Sequence, residues 1–92
     1  MNYALIVRPE AELDILESSQ WYEEKQENLG LRFLDEVEDK IRLITQNPLH
    51  YQVRYKNIRL ALLNHFPYAI HFLVDQNSVI VLATRVNPEQ GV

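Results

Sequence analysis

The chain has 92 residues, of which 47% are hydrophobic and 24% charged, with no cysteine and a net charge of −4. That is the composition of one ordinary globular domain with a single core, and the acid excess argues against a nucleic-acid binder. Disulfides and thiolate metal sites are excluded. No apolar run approaches the ~18–20 residues of a membrane helix. Tyr3–Val7 is too short for a signal-peptide core, so the expected compartment is the cytoplasm, with no membrane partner. The charge is uneven: residues 1–47 hold 11 acids against 5 bases, and residues 48–92 hold 2 acids against 4 bases. An acidic first half and a mildly basic second half suggest one surface for an anionic partner and another for a cationic one.

In chain order, residues 2–7 read as a short strand with β-branched Ile6 and Val7. Pro9 suits the first position of a helix, where its missing N–H costs nothing, and Glu10 and Glu12 favour the helix dipole. Arg8 is a poor N-cap, so the first turn is expected to fray. Ala11, Ile15, Ser18 and Tyr22 recur at helical spacing and form the stripe that faces the sheet. Leu13 and Leu16 point away from it, with Trp21 on a flank. Trp21 and Leu16 are expected to pack on the next helix, while Leu13 can pack or form an exposed docking patch. After the polar stretch Glu23–Asn28, Leu29-Gly30 is read as the bend. A second helix follows over Leu31–Gln46, with a stripe of Leu31, Leu34, Val37, Ile41 and Ile44, Phe33 beside it, and Asp35, Glu36, Glu38 and Asp39 opposite. Pro48 ends it by biasing Asn47 out of helical space, and the two helices form an antiparallel hairpin.

Residues 50–57 read as a loop with a turn at Lys56-Asn57. Three strands follow: Ile58–Leu63, Tyr68–Val74 and Val79–Ala83. They are separated by Asn64-His65-Phe66-Pro67, whose proline cannot sit inside a central strand, and by the turn cluster Asp75–Ser78. Short connections make this an antiparallel meander. The last strand fades by Arg85, and residues 86–92 read as a loose tail. The expected fold is α+β in the order β-α-α-β-β-β, a helical hairpin packed on a small, mainly antiparallel sheet.

Chemistry-bearing constellations are sparse. His50, His65 and His71 show no ligand spacing, so no metal is expected. Strand alternation puts His71 on one face with Ala69 and Leu73, in a structural or surface role. The helix carboxylates read as a solvated face. Arg54, Lys56 and Arg59, with Tyr51 and Tyr55 nearby, could bind a phosphate and stack a base or stabilise an anionic transition state. Arg85 lies at the end of the last strand, so meander geometry does not require it to join them. The competing reading for all four cations is surface charge for solubility.

Several short motifs resemble the RelE/ParE toxin superfamily, in its ParE-like, plasmid-stabilisation branch. They are Pro9-Glu10-Ala11 with Asp14-Ile15, Trp21-Tyr22, Leu29-Gly30-Leu31-Arg32-Phe33-Leu34, Ile44 with Asn47-Pro48, Ile58-Arg59 with Leu62, Phe66-Pro67-Tyr68-Ala69-Ile70, and Val79–Ala83. They run in the family's order over residues 4–84. The resemblance implies the β-α-α-β-β-β fold, no cofactor, and the toxin half of a type II toxin–antitoxin pair. Its partner would be a cognate antitoxin, in a hetero-oligomer. RelE-like members cleave mRNA on the ribosome with scattered basic residues and often a C-terminal tyrosine, whereas ParE-like members inhibit DNA gyrase.

Here Val86 stands about where the family has a histidine, no tyrosine follows Tyr68, and only Arg59 matches the nuclease-type basic set closely. The expected function is therefore a ParE-like toxin that binds and inhibits a DNA gyrase-type target. Arg59 and Arg85 would contact the target, and Leu13 and Leu16 the antitoxin. The first alternative is a ribosome-dependent endoribonuclease using Arg54, Lys56, Arg59 and Arg85. The second is a non-toxic, antitoxin-binding remnant.

Overall fold

The structure, a computed structural model, describes residues 2–87. Strand β1 spans Ala4–Val7, helix α1 Pro9–Lys25 and helix α2 Leu29–Gln46. A 3-10 turn at Pro48–His50 leads to β2 (Val53–Tyr55), β3 (Ile58–Leu62), β4 (Tyr68–Asp75) and β5 (Ser78–Val86). The strands form one sheet in the order β1-β5-β4-β3-β2. The β3-β4-β5 meander is antiparallel, and β1 pairs with β5 in parallel, Ala4 opposite Ser78 and Val7 opposite Val81. The helical hairpin lies on one face only.

The core sits between the hairpin and that face. Ala11 comes from α1, Phe33, Val37 and Ile44 from α2, and Ala61, Ile70, Phe72, Val79 and Val81 from the sheet, with Leu63 and Phe66 from the β3–β4 connection. Phe33 is fully buried among the rings of Tyr22, Phe66 and Tyr68, with centroids 5.1–5.4 Å away. Such edge and tilted ring packings add to the burial of their apolar area.

A bulge decides which residues face which way. Phe72 pairs with Val81, but His71 pairs with Ala83, so Leu82 is an extra residue on β5. Past it the strand resumes alternation one step out of phase. Ile70 and Thr84 then share the helix-covered face, while Ala69, His71, Ala83 and Arg85 turn to the other. Beyond Val7 the chain leaves the sheet to begin α1, so among the described residues no strand pairs with the last residues of β5 on that side. Asp14 on α1 meets them there, accepting the Thr84 backbone N–H at 3.2 Å.

The fold class is as expected, with five differences of detail. The stretch taken as a loop contains a short extra strand, β2, which pairs with β3 through an irregular register. The helix bend comes earlier, over residues 26–28, where Asn28 at φ 69° leads into α2. Gly30 instead lies inside α2 and allows close approach: a Cβ there would meet the Ser19 carbonyl oxygen at 2.3 Å. Because Ser19 and Gly30 make that contact, Leu16 and Trp21 are not drawn between the helices and stay half exposed, at 51% each. The α2 stripe turns about Phe33, which leaves Leu31 outside at 58% exposure. Finally, Val86 belongs to β5 and the Asn87 N–H bonds to the Pro67 carbonyl; the rest of the expected tail lies outside the described residues.

Candidate functional site

The hairpin leaves the second face of the sheet uncovered. Strand alternation places Ile6, Ile80, Leu60, Leu62 and Leu73 on it, partly or largely exposed, around the small residues Ala69 and Ala83. An apolar sheet face of this kind is either an interaction surface or an aggregation liability. At its centre stands His71, opposite Leu60 on β3 and Ala83 on β5. The Tyr55 hydroxyl lies 2.9 Å from His71 Nδ1. With Tyr55 donating, the imidazole proton sits on Nε2, which faces away from that bond. Burial first, and then the Arg85 guanidinium, push the His71 pKa below its ordinary value, with Asp14 pulling partly back. Both effects favour the neutral imidazole.

Arg85 lies on the same face one pair further along, opposite Ala69. It is exposed, and its side chain has no hydrogen-bond or ion-pair partner among the described residues. Arg59, by contrast, pairs with Phe72 and so turns to the helix-covered side. Its guanidinium donates to the Tyr51 carbonyl, and the Tyr51 ring packs edge-on against Phe72. Arg59 thus fastens the segment after α2 to the sheet. Three residues of β4, about 10 Å of strand, and the thickness of the sheet separate it from Arg85. Arg54 falls in the β2 irregularity and Lys56 in the β2–β3 turn at φ 50°, both exposed. The four cations do not form one cluster. The structure gathers Tyr55, His71 and Arg85 instead. Alternation in β4 identified His71's face, but β2 had to be recognised before Tyr55 could be brought to it.

Leu13 and Leu16 lie on the outward side of α1, 53% and 51% exposed. On α2, Glu36 locks the β3–β4 connection: its carboxylate accepts the backbone N–H groups of Asn64 and His65 and lies 2.8 Å from His65 Nδ1. Burial works against its charge, but the bonds from His65 and Asn64 outweigh it and the pKa ends below the ordinary value of 4.5. A lowered carboxylate pKa stabilises the fold above the unfolded value, and the contribution is lost as pH falls through the folded one. Stability is therefore expected to drop on acidification below about pH 4.5, with a shallower acid limb in Glu36→Gln; thermal denaturation across that range measures it. Among the described residues no group of three or more His, Cys, Asp or Glu could hold a metal ion, and no helix is long and apolar enough to cross a membrane.

The chain superposes on the chromosomal ParDE toxin–antitoxin system from P. aeruginosa with a TM-score of 0.77 at 16% identity, over 91% of this chain and 95% of that one. It superposes on the toxin–antitoxin complex RelBE2 from Mycobacterium tuberculosis at 0.63 and 13% identity, over 94% and 99%. No curated protein sequence matches it. Residues 5–89 match the ParE toxin of the type II toxin–antitoxin system parDE, and the chain belongs to that family.

Proposed function

We propose that the protein acts by binding, as a ParE-type toxin whose open sheet face engages a DNA gyrase-type target and whose partner is a cognate antitoxin. The observation that carries this reading is Arg85, a cation with no ion pair among the described residues, on a largely apolar face that the hairpin leaves open. A charged anchor within an apolar patch is the composition of a binding surface. Arg59, the residue closest to the nuclease-type pattern, is committed to the Tyr51 carbonyl and acts through the fold. The half-exposed Leu13 and Leu16 on the outer side of α1 supply a separate apolar patch for the antitoxin, so that antitoxin and target need not compete for one surface.

A second reading has one observation in its favour. Tyr55, His71 and Arg85 together offer a neutral imidazole beside a cation, which could move a proton near a phosphate. The test sets the purified chain against two reactions, DNA supercoiling by a bacterial gyrase and reconstituted translation of a defined mRNA. Inhibition of supercoiling with intact message is the expected result. Ribosome-dependent cleavage of the mRNA, with supercoiling unaffected, would overturn it in favour of the nuclease.

A further inference from the structure

Two hydrogen-bond donors stand side by side on the open face with no acceptor among the described residues. Arg85 is opposite Ala69 and His71 is opposite Ala83, so they are diagonal neighbours on one face, about 7–8 Å apart and within reach of a long side chain. His71 feels that proximity: burial first, and then the Arg85 guanidinium, hold its pKa low. The Arg85 side chain makes no hydrogen bond or ion pair, and His71 is bonded through Nδ1 alone. With the Tyr55 hydroxyl donating to Nδ1, Nε2 carries the proton and is the second open donor.

No acid among the described residues serves them. Asp14 is engaged from α1 by the Thr84 N–H. Asp75 ends β4, four residues beyond His71, or about 13 Å of strand.

The surroundings select the occupant. Leu60 is opposite His71, Leu62 is opposite Ala69, and Leu73 follows on β4, so the donors are set among apolar side chains. A nucleic-acid backbone repeats its charge at every step and is met by several cations. Here Arg59 is turned inward to Tyr51, and one arginine remains on the face. A single acidic side chain between apolar ones matches it in both charge and number. We propose that His71 and Arg85 form a seat for one carboxylate of the partner protein. Arg85 supplies the charge, His71 Nε2–H gives the second hydrogen bond, and Tyr55 is the positioning residue that fixes the imidazole as a donor. The inference rests on the open face being a protein-binding surface, and adds the chemistry of the partner: an Asp or Glu flanked by bulky apolar residues.

The test is an NMR titration of the isotope-labelled full chain with the blocked peptide acetyl-Leu-Asp-Leu-amide and its neutral counterpart acetyl-Leu-Asn-Leu-amide. The expected result is a shift of His71 Nε2 and the Arg85 guanidinium, with the Asp peptide tighter by about fivefold, the size of one good exposed ion pair. The charged and titratable groups around the imidazole are Tyr55 from β2, Arg85 from β5 and Asp14 from α1, while β3 brings Leu60. Protonating His71 puts a second cation on the seat, so the Asp preference should widen as pH falls from about 7.5 to 5.5. Tyr55→Phe, at an exposed position, frees the tautomer. The two imidazole nitrogen signals then move together and the preference falls by about twofold, as for one weak hydrogen bond. His71→Gln keeps an amide donor and abolishes the pH dependence, while the amide signals of β3 and β5 stay in place. Four results would overturn the proposal: no shift at millimolar peptide, equal binding of both peptides, a preference unchanged by pH, or an unmoved tautomer in Tyr55→Phe. A short oligouridylate that shifts the same signals at lower concentration would assign the seat to a phosphate and displace the carboxylate. The supercoiling assay separates the two failures. If the parent leaves gyrase untouched, the target reading falls and the peptides still decide the seat; if the parent inhibits and both peptides bind equally, the seat alone falls.

Discussion

Phe33→Ala is expected to destabilise the protein by about 3–5 kcal/mol, the usual cost of emptying a buried phenylalanine site. Phe33 has no solvent exposure and is the residue at which α1, α2 and the sheet meet, with Tyr22 on α1, Tyr68 on β4 and Phe66 in the β3–β4 connection all within ring-contact distance. Three aromatic neighbours cannot collapse into one void, because each is held by a different element. Since a domain of this size has a total stability of about 5–15 kcal/mol, the variant should approach the unfolding threshold at physiological temperature. Urea denaturation followed by far-UV circular dichroism measures it. Phe33→Leu, which keeps most of the volume, should lose far less. A Phe33→Ala midpoint close to that of the parent would show that the ring cluster is not the keystone of the core.

Arg85→Glu should separate function from folding. The side chain is exposed and makes no ion pair among the described residues, so reversing its charge should leave the unfolding free energy within about 0.5 kcal/mol of the parent, as for an ordinary surface position. If the open face is the target-binding surface, a cation anchored on it is a hot spot worth about 2 kcal/mol or more, and affinity for the target should fall by at least about tenfold. Induced expression of the variant should then no longer arrest growth, while the parent does. Arg59→Ala should behave in the opposite sense, lowering the thermal midpoint through loss of the Tyr51 anchor. Undiminished toxicity of soluble Arg85→Glu would remove the open face from the mechanism.

The comparison of sequence and structure has a physical pattern. Local signals were legible: Pro9 opens α1, Pro48 closes α2, Pro67 stands outside the strands it separates, and the alternation of β4 places Ile70 and Phe72 in the core with His71 opposite. What could not be read depends on partners distant in the chain. Whether Gly30 bends the hairpin or tightens it is decided by Ser19, 11 residues earlier. Strand β2 is three exposed residues that alternation cannot distinguish from a loop, and without it Tyr55 and His71 have no reason to meet. The bulge at Leu82 shifts the phase of Ala83, Thr84 and Arg85, and no turn residue in the sequence marks it. The site residues were therefore less legible than the fold. A candidate list drawn from residue type favoured Arg59, the cation most closely matching the family pattern, which the sheet turns inward to a structural bond.

The topology also orders events during synthesis. Strand β1 finds its partner only in β5, which is made after β2, β3 and β4, and β4 likewise needs β5 to cover its second edge. Until residues 78–86 have been polymerised the growing chain has a helical hairpin but no closed sheet, and such distant pairings form late and slowly. The open face, with its arginine on β5, therefore comes into being only once β5 has been made. A copy interrupted before β5 has no assembled open face and leaves β1 and β4 as bare edges suited to recognition by proteases or chaperones.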